Sequence, residues 1–253
     1  MNLKEKLQGG ILSVGSWLSL PLSAHAEIMA RAGFDWLALD MEHSVIDLET
    51  AEAMIRTIDL CGVTPLVRLT SNDPNQIKRL MDAGAHGVIV PMVKSAEESE
   101  AAVQAVRYPP RGKRSVGLAR AQGYGCRFHP YREWLEDHAV VIVQIEHIDA
   151  VENLREILDV DGVDAYFVGP YDLTGSMGIT GQFDHPQYLA VLERIQAAGK
   201  AAGKPGGIHV IEPNPVELRQ RIEEGHRFIA YSVDFRIMDA GCRDGMKVVD
   251  NFR

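Results

Sequence analysis

Apolar residues along this chain fall in short, nearly unbroken runs separated by turn residues, at 11–17, 35–41, 64–68, 87–91, 140–146, 164–169, 206–211 and 228–233. The runs are rich in β-branched residues and do not alternate with polar ones, the pattern of strands covered on both faces in a parallel sheet. Between them the period becomes that of amphipathic helices. Asp73-Pro74 opens one in which Ile77, Leu80 and Met81 share a face, and Gly84 closes it. Ser95 with Glu98, and Asp149 with Glu152, have capping-box spacing; Asn214-Pro215 with Glu217 opens a further helix that Gly225 ends. Most strand-to-strand intervals are about 25 residues, the length of one βα unit, and eight such units predict a (β/α)8 TIM barrel forming a single domain over residues 1–253. A doubly wound open sheet fits less well, because Ser-Leu-Pro-Leu-Ser follows the first run where a G-x-G-x-x-G phosphate loop would be needed. The longest interval, 92–139, holds a helix, the basic loop 107–114 and a glycine- and aromatic-containing segment, and a connection of that size usually carries function.

Composition narrows the partners. With 46% hydrophobic and 24% charged residues the chain is an ordinary globular protein, and a formal charge of −9 gives no basic stripe for nucleic acid. Cys61, Cys126 and Cys242 are widely spaced and odd in number, which argues against a disulfide framework or a zinc knuckle and for a reducing cytoplasm. No apolar stretch reaches the roughly 18 residues that a membrane helix needs. Residues 4–26 mimic a secretory signal, but Glu5 dilutes the basic end, Gly15, Ser16 and Ser19 break the apolar run, and cleavage would remove the first strand.

In a barrel the active site forms where the C-terminal strand ends converge, and here those ends are polar. The second run ends Asp40-Met41-Glu42-His43, the third at Arg68, the fifth at Gln144-Ile145-Glu146, and the sixth leads into Gly169-Pro170-Tyr171-Asp172. Glu146 and Asp172 stand at the mouths of consecutive strands, so both carboxylates can converge on one hard cation. Separately, Asp172 could cap a helix and Glu146 could pair with a surface base. Arg68 ends an apolar strand and must face a carboxylate, either the protein's or a substrate's. His43 lies three residues after Asp40, close enough for that carboxylate to orient its ring as a general base. No lysine lies within a strand to form a Schiff base, and no G-x-S-x-G elbow occurs. His147 and His209 are metal-binding residue types with no partner at ligand spacing.

At these positions the chain resembles the class II, metal-dependent pyruvate aldolases of the HpcH/HpaI family, which includes 4-hydroxy-2-oxoheptanedioate and 2-dehydro-3-deoxyglucarate aldolases. The resemblance covers nearly the whole length, through Gly33-Phe34-Asp35-Trp36, Asp40-Met41-Glu42-His43, Val67-Arg68, Asn72-Asp73-Pro74, Val90-Pro91-Met92, Arg107-Tyr108-Pro109-Pro110, Gln144-Ile145-Glu146 and Gly169-Pro170-Tyr171-Asp172-Leu173. It implies a TIM barrel with Glu146 and Asp172 as ligands of Mg2+ or Mn2+, or of Co2+, and with Arg68 on the carboxylate of a 2-oxo acid. It further implies that His43 and Asp40 form an acid/base dyad, that Gln144 is a contact at the site, and that the backbone around Gly169, Pro170 and Tyr171 accepts the pyruvate carboxylate. Asp82 matches a position reaching a neighbouring subunit's site, in a homo-oligomer, a hexamer, whose last helix is exchanged between neighbours; residues 238–253 would be that segment. The chain departs from relatives in passing directly from Ser115-Val116-Gly117 to Leu118-Ala119-Arg120-Ala121, which shortens a loop on the aldehyde side. The implied activity is reversible cleavage of a 4-hydroxy-2-oxo acid to pyruvate and an aldehyde through a metal-stabilised pyruvate enolate. An acyl-CoA lyase of the citryl or malyl type would need the basic loop 107–114 to hold its nucleotide. A non-catalytic sugar-acid binding protein would need no base at His43.

Overall fold

A computed structural model describes residues 1–249 in full, the backbone of Asp250, and residues 252 and 253. Eight parallel strands, β1 (Ser13–Leu18), β2 (Trp36–Asp40), β3 (Thr64–Arg68), β4 (Gly87–Val90), β5 (Val140–Ile145), β6 (Ala165–Val168), β7 (Gly206–Val210) and β8 (Phe228–Val233), close in sequence order into one barrel. The expected strands all form, β3 and β8 with the expected ends and the others within two residues of theirs; β1 starts at Ser13 rather than Ile11 because residues 9–12 turn out of a helix.

The strands carry two cores. Inward side chains of Trp17, Trp36, Leu66, Ile89, Ile142, Phe167 and Phe228 fill the barrel, while outward ones pack against the helices. The aromatic filling is possible because facing positions are glycine. A Cβ on Gly15 would lie 2.0 Å from the Trp36 ring, and one on Gly207 would lie 2.4 Å from Phe167. Large residues thus interdigitate with absent ones.

The N-terminus closes the far end of the barrel. Leu3–Gln8 is a helix with a complete capping box, in which the Asn2 side chain accepts from the Glu5 N–H (2.9 Å) and the Glu5 carboxylate accepts from the Asn2 N–H (2.8 Å). It turns Leu3 and Leu7 into the barrel interior. Lys4 bonds the carbonyl oxygen of Glu136 (2.9 Å) and faces Asp164.

The helix Pro74–Ala83 keeps its expected ends: the Asp73 side chain accepts from the Asn75 N–H (2.9 Å), and Gly84 stops it at φ 103°. The expected capping box at Asp149 is corrected, because His147 caps the helix Ile148–Glu152, its Nδ1 accepting from the Asp149 N–H (3.1 Å). At Ser95 half the box forms, since the Glu98 side chain bonds the Lys94 N–H instead. The long connection folds as helices Ala96–Val106 and Phe128–His138 around a short turn at Arg120–Gln122. No helix among the described residues is long and apolar enough to cross a membrane.

Two late helices are less embedded. Pro215–Glu223 buries no residue, and Asp234–Asp250 exposes Met238, Met246 and Val248. The expected exchanged segment 238–253 overlaps that last helix; residue 251 lies outside the described residues.

Candidate active site

Asp40 is the last residue of β2 and Arg68 the last of β3, paired directly across the sheet. Their side chains form a fork: Arg68 Nε donates to Asp40 Oδ1 at 3.0 Å and Nη2 to Oδ2 at 2.7 Å. Asp40 Oδ1 also accepts the backbone N–H groups of Glu42 and His43, both at 3.1 Å, which folds the chain after β2 over the barrel mouth. Arg68 stacks on Trp17, 4.8 Å from its ring centroid. Asp40 therefore reaches His43 through the main chain. The imidazole itself is exposed, with Nε2 3.9 Å from a Glu42 oxygen, and the hydrogen bonds found do not orient it through Asp40.

Glu42 is the site residue that sequence reasoning passed over. Its carboxylate is 3.5 Å from Arg68 Nε. Burial raises its pKa, and the negative charges of Asp40 and Asp172 add to that, against the lowering influence of Arg68 and His43. Only its place between Asp40 and His43 at a strand end could have flagged it.

Glu146 follows β5 and is 2% exposed. Its oxygens accept from the Met92 N–H (2.6 Å) and from Gln144 Nε2 (3.0 Å). Met92 holds the left-handed φ of 56° that aims this N–H, an uncommon conformation for a side chain other than glycine. Burial, with the charges of Glu42 and Asp172 adding to it against the Met92 hydrogen bond and Arg68, pushes the Glu146 carboxyl up to about 7, so three carboxylates lie within mutual electrostatic reach. Asp172 is exposed in the first turn of the helix Pro170–Ser176, which has no side-chain cap. The structure thus gives Glu146 no surface base as partner and Asp172 no capping bond. Gly169 makes room for the acid: a Cβ there would stand 2.2 Å from Glu146 Oε2.

Beside these acids a cavity of about 240 Å³ opens at the C-terminal mouth, lined by Trp17, Asp40, His43, Arg68, Gln144, Phe167, Gly169, Pro170 and His209; Glu42, Glu146 and Asp172 lie next to it and not in its lining. It is polar on one wall, aromatic on the other, and lined by no lysine. The residues fit a divalent cation. Four acids, Asp40, Glu42, Glu146 and Asp172, share one guanidinium, an imbalance that a hard ion would relieve, and Gln144 Oε1 is buried without a hydrogen-bond partner. Among the described residues no group of three or more His, Cys, Asp or Glu converges as a ready-made cage, so two carboxylates would leave positions for water and substrate.

Other sequence candidates lie elsewhere. Asp82, at the far end of the helix after β3, accepts from Arg114 Nη2 at 2.5 Å and is outside this chain's own cavity. The basic loop does not form a nucleotide groove from its two buried arginines. Arg107 donates to the carbonyls of Leu135 and Ala139 at the N-terminal side of β5, and Arg114 stacks on Tyr108 and Tyr131. Tyr171 is exposed and packs edge-on against Phe183.

The pattern of the HpcH/HpaI aldolase/citrate lyase family matches residues 13–238. Over 240 residues, 94% of this chain and 90% of the relative, the sequence is 41% identical to a 4-hydroxy-2-oxo-heptane-1,7-dioate aldolase of Salmonella dublin. The crystal structure of a family protein from Burkholderia cenocepacia superposes with a TM-score of 0.91 at 34% identity, covering 98% of both chains. More distantly, the CitE protein of Mycobacterium tuberculosis, solved with magnesium and acetoacetate, shares the fold at a TM-score of 0.60 and 16% identity, covering 94% of this chain and 90% of that one. With a closed parallel barrel, a polar mouth and this extent of similarity, the chain belongs to the HpcH/HpaI aldolase/citrate lyase family and is a lyase.

Proposed function

We propose that the protein reversibly cleaves a 4-hydroxy-2-oxo acid to pyruvate and an aldehyde. The observation that carries this reading is the pairing of a buried acid, Glu146, in electrostatic reach of Asp172 and Glu42, with the Arg68 guanidinium at one cavity mouth. Glu146 and Asp172 would hold the cation, Mg2+ or Mn2+ and alternatively Co2+. When bound, such an ion supplies Lewis acidity toward the ketone oxygen of the 2-oxo acid.

The protein's own groups do the rest. Arg68, held by Asp40, neutralises the C1 carboxylate, and the backbone around Gly169, Pro170 and Tyr171 accepts its other edge. Gln144 offers its unpartnered oxygen to a donor in the first layer around the substrate. His43, exposed at the mouth, takes the 4-hydroxyl proton through a water. The C3–C4 bond then breaks, C4 leaves as the aldehyde carbon, and C3 takes a proton to become the pyruvate methyl. In condensation the same proton returns from His43.

The free thiols of Cys61, Cys126 and Cys242 fit a reducing cytoplasm. The exposed apolar positions of the helix Asp234–Asp250 support assembly with further copies, a hexamer in which Asp82 approaches a neighbour's site.

The test is pyruvate release from a 2-keto-3-deoxy sugar acid and from 4-hydroxy-2-oxoheptanedioate, cleavage of either supporting the reading. Activity should vanish on removal of divalent ions and return with Mn2+, and His43→Ala should bind the metal yet turn over at least 100-fold more slowly. Activity that survives chelation, or a borohydride-trapped pyruvate–lysine adduct, contradicts the reading.

A further inference from the structure

His209 lines the reaction cavity and has no part in the steps above. β7 points Gly207 and His209 inward, and the His209 ring lies 6.1 Å from that of Trp17. Its Nε2 is 3.3 Å from the carbonyl oxygen of Ser232 on β8. A carbonyl can only accept, so Nε2 carries the proton and Nδ1 carries a lone pair. That carbonyl is firmly placed: Ser232 sits at φ 56°, its hydroxyl donates to the Ile211 carbonyl (2.9 Å), and the Ser16 hydroxyl is shared between the carbonyls of Tyr231 (2.7 Å) and Ser232 (3.1 Å). The ring cannot turn without losing its one bond. Burial, reinforced by the charge of Arg68, lowers its pKa to about 4 and keeps it neutral. Nδ1 has no hydrogen-bond partner and is not sealed from the cavity.

A neutral acceptor with a fixed direction recognises a donor. Trp17, Phe167, Val168 and Val233 make the neighbouring wall apolar; in a lining that also holds Ser19 and Gln144, His209 is the acceptor fixed by a backbone hydrogen bond on its other nitrogen. A hydroxyl on the aldehyde chain satisfies it, whereas a second carboxylate has no proton to donate and would face a lone pair. Resting on the aldolase reading, we infer that His209 is a specificity-determining residue that selects an uncharged, hydroxylated aldehyde by accepting a hydrogen bond from its hydroxyl.

The experiment measures kcat/KM for condensation of pyruvate, with Mn2+, onto glyceraldehyde, propanal and succinic semialdehyde. These share a reacting group and differ in bearing hydroxyls, neither group, or a carboxylate. The wild type should prefer glyceraldehyde over each of the others by about tenfold or more. His209→Leu should collapse the glyceraldehyde-to-propanal ratio by about tenfold. His209→Gln, whose amide can donate to Ser232 and accept from the ligand, should retain most of it. A ratio within one variant is independent of how much of that variant is correctly folded, and the wild-type ratio stands alone if neither variant is recovered. A wild type that incorporates solvent deuterium into the pyruvate methyl yet takes all three aldehydes equally, or a Leu variant that keeps the preference, overturns the role of His209 and leaves the aldolase reading intact. Absence of deuterium incorporation in the wild type overturns both.

Discussion

Arg68 meets two carboxylates of the protein, Asp40 and Glu42, and in the proposed reaction takes a third from the substrate. Its fork on Asp40 is nearly buried, and removing the cation strands an acid that is 5% exposed. Arg68→Ala should therefore lower stability by about 3 kcal/mol, read from the urea midpoint, as well as weaken 2-oxo acid binding; a variant as stable as the wild type contradicts the pairing. Gly169→Ala pushes a methyl against Glu146 and should weaken Mn2+ binding at least tenfold in a calorimetric titration, while circular dichroism is unchanged. His209 gives a pH dependence. Its pKa falls from 6.5 to about 4 on folding, so its contribution to stability is complete above pH 6.5 and is lost as pH falls toward 4. The wild-type urea midpoint should drop over that window more steeply than that of His209→Gln; equal slopes would rule the group out. Strand-end polarity in the sequence pointed to Asp40, Arg68, Gln144, Glu146 and Asp172. It did not reveal Glu42, or that Asp40 is engaged by Arg68 and not by the His43 ring, because partner choice depends on side-chain geometry across strands.

At the scale of elements, strands were legible because burial on both faces leaves an unbroken apolar run that nothing else in the chain imitates. Helices with a proline at the start and a glycine at the end were legible too, Pro74–Ala83 being the clearest. The helix Leu3–Gln8 was overlooked although Asn2 and Glu5 have capping-box spacing and Leu3 and Leu7 stand one turn apart, since six residues carry too little periodicity to stand out. It nonetheless plugs the barrel. Leu7→Ala should cost about 2–4 kcal/mol in chemical denaturation, and a loss under 1 kcal/mol would mean the plug is dispensable. The basic loop bears on the alternative activity. An acyl-CoA lyase would need it to hold a nucleotide, yet Arg107 and Arg114 are turned inward, their charge met by carbonyls, Asp82 and aromatic faces.

For the molecule as a whole, strand number, order and closure followed from the spacing of eight runs, whereas assembly depends on surfaces that spacing does not describe. The helix Asp234–Asp250 leaves apolar side chains exposed on the isolated chain; sedimentation velocity should show the 253-residue chain as an oligomer and a chain ending after Ile237 as a smaller species, and a 253-residue chain that sediments as a monomer contradicts the assembly proposed. The central claim, that a cation gripped by Glu146 and Asp172 beside Arg68 labilises the carbon next to the ketone, is tested most directly by proton NMR of pyruvate in deuterium oxide. Metal-stripped protein should leave the methyl signal untouched, Mn2+ should restore its decay at a rate proportional to bound metal, and Glu146→Gln should abolish it at every metal concentration. Exchange that proceeds without the ion, or at the wild-type rate in the Gln variant, would contradict the account.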